Sequence, residues 1–323
     1  MNNFWNKLKK PIFALAPMAD VTDCAFRQII AKYGKPDVFF TEFVSADGLC
    51  SPGREKLLID LKYEKNEHPI VAQIFGGKPE NIREASKLCA KLGFDGIDIN
   101  MGCPDKSVEK QYAGAALIKN PKLAQEIIKK AKQAGLPVSV KTRLGYNKII
   151  TKEWVPYLLE TEPTAIIMHG RTRKEMSSVP AHWGEIGITA ELAKGTETLI
   201  VGNGDVVDLN DARQKAREYD LDGIMIGRGI FANPWFFNKD TEHAERTPNG
   251  RIDLLREHLN NFERLWGDPS AGSGQDKNFD MMKKFFKVYI SNWPGAKELR
   301  TKLMATGSKE EALRVLKNNS FLV

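Results

Sequence analysis

Cys103 is the residue of this sequence best placed to do chemistry. It lies in the segment Asn100-Met101-Gly102-Cys103-Pro104, where a short apolar run ends and a Gly-Cys-Pro turn fixes the backbone that carries the thiol. A thiol of ordinary pKa, about 8.5, is mostly protonated at neutral pH. It can therefore give up a proton without special activation, or act as a nucleophile once ionised. A lone cysteine is also commonly a small buried hydrophobe, and Cys24, Cys50 and Cys89 fit that description better. The four cysteines show no C-x-x-C spacing and no matching histidine pairs, so neither a metal site nor a disulfide framework is indicated. A reducing cytoplasm is the compartment expected.

Other polar residues close comparable apolar runs. Lys141, at the end of Val138–Thr142, would be costly to bury without an anionic partner, and a bound cofactor could supply one. A reduced flavin, with negative charge near N1 and O2, is such a partner. Gln73 and His169 could donate hydrogen bonds to a ring system or a phosphate, although each taken singly is more often a satisfied core group. Gly202, Gly204, Gly227 and Gly229 would let a ligand approach backbone N–H groups, and Arg228 adds charge.

The elements that must position these residues are short β-branched runs at Ile12–Leu15, Val38–Phe43, Ile70–Phe75, Gly96–Asn100, Val138–Thr142, Ala165–His169, Leu199–Gly202 and Gly223–Ile226. Helix-period segments such as Asn81–Leu92 and Lys122–Ala134 lie between them, each followed by a glycine stop at Gly93 or Gly135. Strand and helix alternate through eight units, which predicts an α/β fold, a closed (β/α)8 TIM barrel. In such a barrel the active site forms at the C-terminal strand ends, and the loops after the seventh and eighth strands commonly hold phosphate. That placement favours phosphate binding over tight turns for the glycine pairs.

The barrel is expected over residues 1–240. A polar stretch, Asn238–Gly250, reads as a linker, and residues 251–323 carry helical spacing in Ile252, Leu255, Leu259, Phe262 and Trp266, with a loop at Gly267–Gln275. No apolar run approaches the roughly 20 residues that span a bilayer, so a soluble protein without membrane attachment is expected. The net charge of +7 permits a polyanionic partner. Residues 251–323 hold 13 Lys/Arg against 9 Asp/Glu, and Lys283, Lys284 and Lys287 interleave with Phe285, Phe286 and Tyr289. This is either a solvated face over an aromatic core or a platform for a phosphate backbone.

Together the segments Ala16-Pro17-Met18-Ala19, Gln73-Ile74-Phe75-Gly76, Asp98-Ile99-Asn100-Met101-Gly102-Cys103-Pro104, Lys141-Thr142-Arg143, His169-Gly170-Arg171-Thr172, Gly202-Asn203-Gly204-Asp205 and Ile226-Gly227-Arg228 resemble the tRNA-dihydrouridine synthase family. The match spans nearly the whole barrel in order. The resemblance implies an FMN held by Pro17, Met18, Ala19, Gln73, Lys141, His169, Asn203, Gly204, Asp205, Gly227 and Arg228 and reduced by NADPH. It further implies hydride transfer to C6 of a tRNA uracil, protonation of C5 by Cys103, and Asn100 and Arg171 holding the base. Lys283, Lys284 and Lys287 then become tRNA contacts. Asp20 stands where such enzymes often have glycine, and Met176–His182 departs from the family's usual loop. An FMN barrel acting on a free pyrimidine or another enone is the alternative reading.

Overall fold

Strand after strand in this chain finds a parallel neighbour. A computed structural model describes residues 3–238, 247–267 and 277–318. The expected linker and the loop at Gly267–Gln275 fall largely outside these residues. The strands are β1 (Ile12–Leu15), β2 (Phe39–Phe40), β3 (Val44–Ser45), β4 (Ile70–Phe75), β5 (Gly96–Met101), β6 (Val138–Arg143), β7 (Ala165–His169), β8 (Leu199–Asn203) and β9 (Gly223–Ile226). They pair in the order β1-β9-β8-β7-β6-β5-β4-β2, all parallel, and a bridge between Ala14 and Val38 joins the two ends into a ring. This is the (β/α)8 barrel that the alternation predicts.

The expected strand Val38–Phe43 is split in two, and Thr41 is the cause. Phe39 and Phe40 pair with Ile70 and Val71, and Val44 and Ser45 with Ile74 and Phe75. Between them the Gln73 N–H donates to Thr41 Oγ1 at 3.1 Å, so a side-chain oxygen replaces a backbone carbonyl in the ladder.

Successive strand residues face opposite sides, and the inward phase explains both core and site. Ile12, Ala14, Val71, Ala165, Ile167, Leu199 and Val201 fill the interior with Trp5 against them. Two residues further along the same phase lie Gln73, His169 and Asn203. On β5 and β6 the inward phase carries Asp98, Asn100, Ser139 and Lys141. Outside, the helices Pro79–Lys91 and Pro121–Lys132 bury one face each, Ile82, Ala85 and Cys89 in the first and Ala124, Ile127, Ile128 and Ala131 in the second. Gly93 and Gly135, at φ 87° and 79°, take the left-handed conformation that ends each segment.

Contacts divide the chain into two units, Met1–Thr22 with Pro36–Gly229 and Asp23–Lys35 with Ile230–Val323. The line thus falls at Gly229 rather than at the composition change near residue 240, and the helix Cys24–Gly34 groups with the C-terminal helices. Its contacts show why. Phe26 packs on His258 and Phe285 at ring separations of 5.7 and 5.3 Å, and Lys32 and Tyr33 both reach Glu257, at 2.8 and 2.5 Å. Asp23 caps that helix at the Phe26 N–H and accepts the Trp266 indole N–H at 2.8 Å. No helix among the described residues is long and apolar enough to cross a membrane.

His258 makes this helical unit acid-sensitive. It is fully buried, its Nδ1 lies 3.1 Å from the Tyr289 hydroxyl, and its Nε2 has no partner among the described residues. Burial pushes its pKa down to about 4. The unfolded chain takes up this proton near the ordinary value of about 6.5, so the stabilising contribution is complete above that pH and is lost as pH falls towards 4. The loss amounts to about 3 kcal/mol. Melting temperature measured from pH 7 to pH 4 should fall less steeply in His258→Leu than in the wild type; parallel curves would show that His258 does not drive the acid limb.

Candidate active site

A cavity of about 570 Å³ opens at the C-terminal strand ends of the barrel. Its wall includes Pro17, Met18, Lys141, His169, Arg171, Asn203, Gly204, Asp205, Gly227 and Arg228 from the sequence-derived set. Four others lie off this wall. Ala19 is exposed, Gln73 and Asn100 are buried, and Cys103 is half-buried. Arg143, Met176 and Ser177 line the cavity without having been singled out. Arg143 was findable, since it follows Lys141 by two residues on one strand and so shares its face.

The turn after β1 is closed by Thr22, whose Oγ1 accepts the Met18 N–H at 2.8 Å while its own N–H donates to the Met18 carbonyl at 3.0 Å. Asp20 lies in this turn at φ 57° and is exposed. That conformation explains why glycine is usual there, and aspartate tolerates it better than most residues. At the seventh and eighth barrel strands, Asn203 Nδ2 donates to the Met225 carbonyl at 2.8 Å, and Gly204 sits at φ 137° where a Cβ would come within 2.7 Å of Ala181.

The wall is cationic. Lys141, Arg143, Arg171 and Arg228 face it, against one carboxylate, Asp205. Burial opposes the Asp205 charge, but the hydrogen bonds from Arg171 and the Ala181 N–H and the proximity of Arg228 outweigh it and hold its carboxyl below the usual range. Arg171 is further fixed by the Val179 carbonyl at 2.6 Å. Burial, then the surrounding cations, push His169 well below its ordinary value, so it is neutral, with Nε2 3.3 Å from Arg171 Nη1. Lys141 has only the neutral Asn203 Oδ1, at 3.3 Å, and no carboxylate within ion-pair distance among the described residues. Burial and Arg143 lower its pKa to about 8, with Asp98 opposing.

Beside this wall the Cys103 turn is held from three directions. Asn100 Oδ1 accepts the N–H groups of Gly102 and Cys103 at 3.1 and 2.9 Å. Arg143 Nε donates to the Gly102 carbonyl at 2.6 Å, while its Nη1 reaches the carbonyls of Thr172 and Met176, both at 3.2 Å. The divergent Met176–His182 segment is thus tied to the turn. Gly114, at φ 59°, packs so closely that a Cβ would lie 2.7 Å from the Cys103 carbonyl. Burial pushes the Cys103 thiol up, which keeps it protonated at neutral pH. Cys24 and Cys89 are buried in their helices, and burial drives Cys89 to about 12.

Asn100 Nδ2 donates to Gln73 Oε1 at 3.0 Å, and Gln73 Nε2 donates to Asp98 at 2.7 Å. Both amides therefore support the turn first, a role that sequence alone does not show. Burial lifts Asp98 to about 6 against the hydrogen bonds from Ser139 and Gln73.

In the helical unit, Phe285, Phe286 and Tyr289 are buried, so the aromatic residues of Lys283–Tyr289 form core rather than a stacking surface. Lys284 and Lys287 are exposed, whereas Lys283 is half-buried and pairs with Asp280 at 2.7 Å.

A family model described as "Dihydrouridine synthase (Dus)" matches residues 14–322. A "Probable tRNA-dihydrouridine synthase" of Staphylococcus aureus (strain Mu50) is 45% identical over 318 residues, covering 97% of this chain and 94% of that protein. A "Probable tRNA-dihydrouridine synthase 2" of Bacillus subtilis (strain 168) is 43% identical over 318 residues, covering 97% and 95%. Among solved structures, a 2-naphthoyl-CoA reductase complex matches with TM-score 0.54 and 13% identity, covering 73% of this chain and 52% of that one. Histamine dehydrogenase from Rhizobium sp. 4-9 matches with TM-score 0.52 and 14% identity, covering 77% and 48%. At such identities the structural likeness concerns the fold alone.

Proposed function

The chain belongs to the dihydrouridine synthase family, and from that premise we propose that it is an FMN-dependent oxidoreductase that uses NADPH to reduce the C5=C6 bond of uridines in tRNA. The observation that carries the reading is Lys141: a cation on a cavity wall with no carboxylate within ion-pair distance among the described residues, paired across the sheet with Asn100, whose strand leads into the turn of a protonated thiol. A half-buried cation so placed calls for an anionic ligand.

The donor set fits FMN. Lys141 suits the negative N1/O2 edge, and neutral His169 can donate or accept a hydrogen bond. Gly204, Gly227 and exposed Arg228 suit the phosphate, with Asp205 orienting Arg171 and Arg228. Pro17 and Met18 supply the remaining wall. When bound, the flavin supplies the hydride for C6 of the uracil. The protein's own part is to manage the charge that appears. Addition at C6 builds enolate-like charge through C5 and the C4 carbonyl, and Cys103 quenches it by giving its proton to C5. The raised pKa of the thiol means that it regains a proton from water readily. Asn100 keeps one amide hydrogen for a uracil carbonyl, and Arg171, rigidly held, is the second group near the base.

A stacked base cannot reach such a cavity, so the uridine must be extruded while another surface holds the polynucleotide. Lys284 and Lys287 are the proposed contacts, with Lys283 weakened by Asp280. Such a substrate places the enzyme in the cytoplasm. Lys287→Glu should weaken tRNA binding and reduce the steepness of its salt dependence, and Lys283→Glu should do so less. Equal and unchanged affinities for both variants would remove this face from the binding surface.

Reconstitution with FMN tests the cofactor assignment: the protein should turn yellow and bleach anaerobically with NADPH. A protein that remains colourless would sink it. Reduction of free uridine as readily as tRNA would favour a small-molecule reductase instead.

A further inference from the structure

Three polar residues lie side by side inside the barrel. Gln73 on β4 is in register with Asp98 on β5, and Asp98 with Ser139 on β6. Their exposures are 0%, 0% and 1%. Neither Asp98 nor Ser139 touches the cavity, and reduction of a uracil makes no direct use of them. A carboxylate is costly to bury unless its oxygens are hydrogen-bonded, so its position in this row requires a reason.

The hydrogen bonds around it all run one way. Ser139 Oγ donates to Asp98 Oδ1 at 2.6 Å and Gln73 Nε2 to Oδ2 at 2.7 Å. Asn100 Nδ2 donates to Gln73 Oε1 at 3.0 Å, and the Gly102 and Cys103 N–H groups donate to Asn100 Oδ1. Each end dictates this sense. Backbone N–H groups can only donate, so Asn100 must turn its oxygen to them and its nitrogen to Gln73. Gln73 must then offer its oxygen to Asn100 and its nitrogen to position 98, where only an acceptor can stand. Without that acceptor, Gln73 is left with a buried unsatisfied N–H or turns over. If it turns, Asn100 faces another donor, follows it, and leaves both N–H groups of the cysteine turn without an acceptor.

We propose that Asp98 is a positioning residue for the Cys103 thiol: its carboxylate fixes the sense of the Gln73–Asn100 relay and thereby the turn from which Cys103 reaches the substrate. The inference rests on Cys103 being the acid, so the relay itself is read without flavin or RNA, and the two ideas can fail separately.

Flavin-free protein is treated with iodoacetamide, and the Cys103 peptide is followed by mass spectrometry. In Asp98→Leu the relay loses its acceptor, and Cys103 alkylation should accelerate about tenfold. Asp98→Asn can still present an oxygen to Gln73, and should alkylate at close to the wild-type rate. In the holoenzyme, kcat with tRNA should fall in Asp98→Leu and recover in Asp98→Asn, with KM for tRNA unchanged in both. Unaltered alkylation in Asp98→Leu would overturn the proposal. So would an Asp98→Asn variant as impaired as Asp98→Leu, because that would assign the effect to charge rather than to hydrogen-bond sense. Should Asp98→Leu not fold, Gln73→Met cuts the relay one link further on. It must accelerate Cys103 alkylation likewise, and an unchanged rate there would also overturn the proposal.

Discussion

Replacement of Cys103 by alanine is expected to leave FMN binding and its reduction by NADPH intact while slowing reduction of tRNA by about 10²- to 10⁴-fold, the range that a positioned general acid contributes. The separation follows from the layout. Cys103 is off the cavity wall that would hold the cofactor, on a turn whose backbone is fixed by Asn100, Arg143 and Gly114 rather than by the thiol. Removing one sulfur atom there leaves each of those contacts in place. What is lost is a proton held ready at neutral pH by burial. Stopped-flow measurement resolves the two half-reactions: bleaching of the flavin by NADPH should be unchanged, and reoxidation of the reduced flavin by tRNA should nearly stop. Normal reoxidation by tRNA would remove Cys103 from the mechanism.

Lys141→Met carries the second large effect, and its two consequences have opposite sign. The lysine is held in a cationic wall with no carboxylate within ion-pair distance among the described residues, and burial and Arg143 together disfavour its charge more than Asp98 favours it. Flavin-free protein with methionine at this position should therefore be as stable as the wild type or more so. FMN affinity should drop by about 10- to 100-fold, because a charge-assisted hydrogen bond is worth about 1.5 to 3 kcal/mol. A pH signature follows from the same group. With its pKa at about 8, the Lys141 charge is present below that value and fades above it. Wild-type affinity should decline as pH rises beyond 8, more gradually once bound anion stabilises the charge, and this part of the decline should vanish in Lys141→Met. Titration calorimetry across pH checks both points; tight, pH-parallel binding by the variant would place the anion elsewhere.

The barrel was legible because short β-branched runs alternate with helix-period segments, two of which close on Gly93 and Gly135, and these local signals agree with one another. Lys141 and His169 stood out as polar residues closing apolar runs, Asn203 was implied by the family resemblance, and all three line the cavity. Less visible were contacts that depend on which strands become neighbours. Asp98 beside Gln73 and Ser139 is a matter of register across three strands separated by helices. Arg143 reaching Thr172 and Met176 joins segments some thirty residues apart. The helix Cys24–Gly34 occupies the place of a first barrel helix in the sequence, and only its contacts at Phe26, Lys32 and Tyr33 assign it to the helical unit. Thr41 could have been suspected of interrupting a strand, but a hydroxyl that replaces a carbonyl leaves no pattern in the residues around it. The aromatic residues near Lys283 showed the opposite limit: a helical period places them on one face without saying whether that face is inward.

This cavity and this thiol are proposed together to reduce uridine within tRNA. Unmodified tRNA transcript is incubated with the FMN-loaded protein and NADPH, digested to nucleosides and analysed by mass spectrometry. A uridine heavier by two hydrogens should appear with the wild type and be nearly absent with Cys103→Ala. Its absence with yellow, NADPH-reducible wild-type protein, or its equal formation by Cys103→Ala, would contradict the account.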